Sequence, residues 1–244
     1  MNKNFFVVIA LILFLLFRRR IINSAAKFTN IPSEMRENAQ IVFNALLSQG
    51  ITNPFTLAAM LATIERESNF EPQTEKSYKN TSAFRIKKIF KSRLGQFSDA
   101  YIDNLKKNDV EFFEKVYGGR YGNAVYGDGY RYRGRGFNQI TFKGNYEDVG
   151  NSINVDLVNN PDKLNEISTA AKALVYFWNN AYKNALSSGK WEANFDNELN
   201  EAKSQTEANK MLLKLNGGWS LGYGTEMFKY LQIHAPAYYE LITE

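Results

Sequence analysis

The 244-residue chain carries 30 lysines and arginines against 25 acidic residues, with no cysteine and a single histidine, His234. Its length suits one sizeable domain with a real core. The lack of cysteine excludes disulfides, thiol nucleophiles and a lipoprotein anchor; one histidine excludes a multi-histidine zinc centre and argues against a Ser-His-Asp triad. Acid–base chemistry therefore falls to carboxylates, with no metal or cofactor expected.

The net charge of +5 is unevenly placed. Residues 1–27 hold Lys3, Arg18, Arg19, Arg20 and Lys27 and no acid, which leaves 25 bases against 25 acids in residues 28–244. A neutral body argues against nucleic acid as a partner, and a basic N-terminal segment points to a membrane surface. Within that segment Phe5 to Phe17 is an unbroken run of 13 apolar residues. As a helix it reaches roughly 20 Å, short of the ~30 Å hydrocarbon core, and snorkelling arginines extend it. A cleaved signal peptide would need its small-residue site near Ser24 to Ala26, behind the charge block Arg18 to Arg20, where such peptides carry none. The expectation is an uncleaved single-pass anchor over residues 1–27, embedded through residues 5–17, ahead of a folded domain over 28–244. The heavier charge after the run favours a cytoplasmic domain, whereas a cell-wall enzyme needs the other side; the side of the membrane stays open.

Ser33 to Gln49 reads as a helix, with Ser33 as cap, Glu34 and Glu37 in the first turn and Gly50 as stop. Asn53-Pro54 opens the next, an N-cap followed by proline at the first position. This helix is apolar nearly all round to Ile64 and ends near Glu65-Arg66-Glu67-Ser68, so it should be central and buried. A polar stretch follows to about Lys91. Helices are expected from Ser98 to about Lys107 and from Asp109 to about Val116. Tyr117-Gly-Gly-Arg-Tyr-Gly-Asn123 and Gly127-Asp-Gly129 form a glycine-rich approach to Tyr130-Arg-Tyr-Arg-Gly-Arg-Gly-Phe-Asn-Gln-Ile-Thr141. There, three arginines alternate with tyrosine and glycine at extended-chain spacing. Gln139, Thr141 and Asn145 follow, neutral hydrogen-bonding side chains suited to water or sugar hydroxyls, with Thr141 as cap of a short helix from Phe142. Later helices are expected from about Ser168 to Tyr182, from Thr206 to about Leu215, and from near Thr225 to Pro236.

Tyr132-Arg-Gly-Arg-Gly-Phe-Asn-Gln-Ile-Thr141 resembles the signature loop of glycoside hydrolase family 19, the chitinases and their phage and bacterial endolysin relatives. Ala62-Thr-Ile-Glu-Arg-Glu-Ser-Asn-Phe70 is similar to the family's helix-end segment, and Asn160-Pro-Asp-Lys-Leu164, Phe177-Trp178 and Asn216-Gly-Gly218 match later landmarks in order. The resemblance implies a mainly α, lysozyme-like two-lobed domain with little β structure. It implies Glu67 as general acid and Glu75 as general base, with Glu71 as rival for the second role. Thr141 maps to the position that holds the attacking water, and Gln139, Asn145 and Asn216 map to sugar-contacting positions. Arg135 and Tyr132 join the substrate-binding set, Tyr132 either facing a sugar ring or packing in the core. Arg66 stands where relatives have histidine, and no arginine follows Asn216-Gly-Gly.

A physical argument runs beside the resemblance. Glu67 ends an apolar helix, where the dipole and burial both favour a protonated carboxyl, whereas Glu75 sits in a polar loop near Arg133 or Arg135. Environments that separate two carboxyls suit acid and base roles. The expected function is an inverting, endolysin-like peptidoglycan hydrolase cleaving β-1,4 bonds between amino sugars at a host or virion membrane. Its rivals are a chitinase, a lytic transglycosylase using Glu67 alone, and a non-catalytic membrane-anchored sugar-binding or virion structural protein.

Overall fold

The computed structural model describes residues 31–187, 200–216 and 223–243; the expected anchor over residues 1–27 lies outside them. Among the described residues the fold is mainly helical, and the isolated antiparallel bridge Arg135–Ile140 stands in place of any strand. No helix among them is long and apolar enough to cross a membrane. The chain divides into two compact units, one formed by residues up to Phe70 and from Trp178 onward, the other by Glu71–Phe177.

In the first unit, α1 (Ser33–Ser48) precedes α2 (Pro54–Ser68). Asn53 caps α2 as expected, accepting from the Thr56 N–H at 3.0 Å, and its amide donates to the Asn200 and Ala202 carbonyls. Every residue from Thr56 to Ile64 is buried, because α2 packs against α1, α10 (Gln205–Leu215) and α11 (Tyr223–Thr243). Two expectations change here. Ser33 is the first residue of α1 rather than its cap, and its hydroxyl donates to Glu34. Helix α11 continues through Pro236; an interior proline costs about 3 kcal/mol, offset by burial of Met227 and Leu231 before it and of Tyr238 and Leu241 after it.

The second unit holds α3 (Ala83–Ile89), α4 (Lys91–Leu94), α5 (Asp99–Leu105), α6 (Asp109–Tyr117), α7 (Asp128–Arg131), α8 (Lys143–Ile153), a 3-10 turn at Pro161–Asn165 and the start of α9 (Ile167–Ser187). The polar stretch before Lys91, for which no helix was expected, is helical from Ala83, with Ser82 capping Arg85 N–H and Ile86 buried. Ser98 caps α5 as expected. One apolar cluster gathers Ile86, Leu94, Ile102, Phe112, Phe113 and Val116, with Tyr78, Phe90 and Tyr117 packed against it. A second gathers Tyr132, Ile140, Tyr146, Val149, Leu157 and Leu164.

Candidate active site

In the second unit the chemistry converges on Glu75. Its backbone N–H donates to the Gly134 carbonyl at 2.7 Å, and the Gly134 N–H returns a bond to Glu75 Oε2 at 3.2 Å. The Tyr117 hydroxyl lies 2.9 Å from Oε1 and 3.1 Å from Oε2, and the Tyr78 hydroxyl donates to Oε1 at 3.1 Å. Burial, then the adjacent Glu75 charge, pushes both phenols well above their ordinary value of 10.0, so both remain protonated donors. The expected arginines are engaged elsewhere. Arg133 lies over the Tyr130 ring at 4.0 Å and donates to the Tyr130 carbonyl at 2.7 Å. Arg135, 3% exposed, pairs with Asp162 at 2.8 Å and donates to the Arg131 carbonyl and to Tyr146 Oη. Tyr146 in turn donates to the Arg133 carbonyl, and burial, opposed by the Arg135 charge, pushes its phenol up to about 12.

The signature loop thus holds its own shape and grips Glu75 through backbone. Gly134 is required by that grip: a Cβ there would lie 2.7 Å from Gln139 Oε1 and 3.3 Å from Glu75 Oε2. Gln139 takes a left-handed backbone, φ 52°, and its amide donates to the Gln73 and Gly136 carbonyls. Thr141 donates to the Gln139 carbonyl at 3.0 Å and Asn145 to the Thr141 carbonyl at 2.7 Å. Thr141 therefore does not cap α8; Phe142 holds that position at φ 76°. Gln139 and Asn145 are exposed and Thr141 half-buried. Tyr132, by contrast, is buried, with its hydroxyl on the Val158 carbonyl, and like Arg135 it supports the loop from within.

In the first unit, Glu67 stands exposed in the last turn of α2, so the burial expected at its carboxyl is not found. The chain turns sharply after it, with Asn69 and Phe70 at φ 51° and 61°. Glu65, two residues earlier, faces inward: Oε2 lies 3.6 Å from His234 Nδ1, and burial followed by contact with Glu65 raises the Tyr230 phenol. A cavity of about 70 Å³ there, lined by Ile31, Glu65, His234 and Tyr238 among others, is too small for a sugar. Asn216 accepts from Trp178 Nε1 at 2.8 Å. Glu71 is exposed.

Sequence reasoning missed the two tyrosines and Asn123. The last is 1% exposed and ties the Tyr117 carbonyl to the Lys143 N–H. The available signal was a tyrosine three residues after Glu75 and another opening the glycine-rich approach.

A carboxylate held by hydroxyls beside exposed amides and a threonine is the equipment of a glycan-cleaving site. The family model for class I chitinases, glycoside hydrolase family 19, matches residues 88–227, and the chain belongs to that family. The match begins downstream of Glu67 and Glu75. The chain is 32% identical over 105 residues to basic endochitinase B of Arabidopsis thaliana, covering 40% of this chain and 30% of that protein. It is 33% identical over 101 residues to acidic endochitinase Q of Nicotiana tabacum, covering 38% and 39%. It is 31% identical over 104 residues to chitinase 3 of Oryza sativa subsp. japonica, covering 40% and 32%. The similarity thus spans between 30% and 39% of the length of these relatives.

Proposed function

We propose that the protein hydrolyses β-1,4 bonds between amino sugars in peptidoglycan by an inverting two-glutamate mechanism. The observation that carries this reading is the Glu75 carboxylate. Three donor hydrogens, from Tyr78, Tyr117 and the Gly134 N–H, serve it, and a carboxylate offers about four acceptor sites, so one remains for a water. Glu75 takes a proton from that water while Glu67 protonates the glycosidic oxygen, and attack opposite the leaving group inverts the anomeric carbon. Glu75 is the base in preference to Glu71 because its carboxylate is fixed. Gln139, Thr141, Asn145 and Asn216 contribute polar contacts to sugar or water. The apolar run at residues 5–17 with its basic flank supports a membrane tether, as an envelope-degrading protein of a phage or bacterium would use.

Chitin is the second reading, favoured by the relatives, which are chitinases. Digestion of purified peptidoglycan and of N-acetylglucosamine oligomers, with fragment masses and anomeric NMR, tests both. Hydrated, inverted reducing ends are expected, lost by about 10²–10⁴-fold in Glu67→Gln and Glu75→Gln. Fragments lighter by one water, with Glu75→Gln fully active, would mean a transglycosylase. Glu71→Gln serves as the control. Glu65→Gln is unsuitable because Glu65 sits against Tyr230 and His234.

A further inference from the structure

The support of Glu75 is built from an aromatic frame within the second unit. The Tyr117 ring stacks on Phe113 at 6.0 Å and meets Phe90 and Phe142 edge-on at 6.2 and 5.3 Å. The Tyr78 ring stacks on Phe112 at 5.1 Å and meets Phe90 and Phe113 edge-on. Phe90 and Phe113 therefore brace both phenols, and each ring has little freedom to swing its hydroxyl off the carboxylate. Packing alone does not need those hydroxyls, since phenylalanine would fill the same space. Leaving a phenol O–H half-buried is worthwhile only where it finds an acceptor. Both find the same one.

We propose that Tyr117, seconded by Tyr78, is a positioning residue that fixes the orientation of the Glu75 carboxylate for water activation. This rests on the two-glutamate reading above. Neutral donors suit the task better than a cation. They orient the carboxylate through directional hydrogen bonds without placing a cation beside it. Tyr117 reaches both oxygens and so defines the carboxylate plane; Tyr78 reaches one and sets its rotation.

The test is a double-mutant cycle on the full chain, using soluble N-acetylglucosamine oligomers and solubilised peptidoglycan strands. Tyr117→Phe keeps the ring and removes the hydroxyl. We expect kcat to fall about tenfold to a hundredfold, the scale of one hydrogen bond to a charged group, with KM within about twofold. Tyr78→Phe should fall less. In a Glu75→Gln background, adding Tyr117→Phe should change nothing further, because the group it positions is already disabled. A Tyr117→Phe loss that persists undiminished in that background, or one that appears in KM alone, would show a merely structural role and overturn the proposal. Should Tyr117→Phe melt early, the Tyr78→Phe cycle decides by the same criterion. If Glu75→Gln is inactive while both phenylalanine variants match the wild type, positioning fails and the two-glutamate reading stands. If Glu75→Gln is itself fully active, both fail together.

Discussion

Trp178 donates its indole N–H to Asn216 Oδ1 at 2.8 Å, joining α9 to the end of α10. The amide that the family resemblance assigns to sugar is thus the hydrogen-bond partner of a fully buried tryptophan. Asn216→Ala should destabilise the protein by about 1–3 kcal/mol, the cost of stranding a buried donor. Urea unfolding measures it. A residue occupied only with substrate would instead raise KM with the unfolding midpoint unchanged.

Arg135 and Asp162 make an unequal pair. The guanidinium side chain is 4% exposed and the carboxylate 81%. Asp162→Asn should therefore cost less than about 1 kcal/mol, as exposed partners do. Arg135→Lys loses the fork that also reaches the Arg131 carbonyl and Tyr146 Oη, and should cost about 1.5–3 kcal/mol for bonds to a charged group. Thermal melting of the two variants side by side checks the asymmetry. Equal losses would place the energy in the ion pair.

Gly134 separates stability from activity. The added Cβ of Gly134→Ala meets the ends of Gln139 and Glu75 side chains, which can swing away, so folding should be little affected. The same swing displaces the carboxylate, and a misplacement of about 1 Å can cost on the order of 10²-fold in rate. Full activity in the alanine variant would mean the carboxylate has no fixed role.

The phenols set an alkaline limit. In the folded protein Tyr78 and Tyr117 hold their protons above the ordinary value of 10.0, chiefly through burial and then through Glu75. Above about pH 10 the unfolded chain releases those protons while the folded chain keeps them, so folded protein binds more protons and stability falls as pH rises. Below pH 10 the contribution is complete. Unfolding midpoints measured from pH 8 to 11 should drop at the upper end, and less steeply in the Tyr78→Phe, Tyr117→Phe double variant. An identical slope would place the alkaline sensitivity elsewhere.

Local chemistry was the readable part of this fold. Asn53-Pro54 and Ser98 announce helix starts because a cap involves only its own next three residues. The helix behind Ser82 was hidden: its basic residues mask the pattern, and Phe84, its largest apolar side chain, points outward at 74% exposure. Thr141 looked like a cap, yet Phe142 takes it because Tyr117 and Tyr121 hold the Phe142 ring. Glu75 was singled out through the family resemblance, whereas its contact with Tyr117 crosses 42 residues and belongs to tertiary structure. Glu67 was placed at its helix end correctly but its exposure was not, since α2 is buried only as far as Ile64.

Gly122 and Gly144 pass so close that a Cβ on the first would lie 2.9 Å from the backbone nitrogen of the second, and a Cβ on the second 3.0 Å from the Tyr121 carbonyl. Asn123 stitches the same crossing by accepting from the Lys143 N–H, while its amide donates back to the Tyr117 carbonyl within its own stretch. For anyone recombining or grafting members of this family, the stretches 117–127 and 139–146 are therefore one inheritable cassette. A chimera that takes the first from one parent and the second from another joins surfaces shaped for different partners, so the two stretches must be exchanged as a pair.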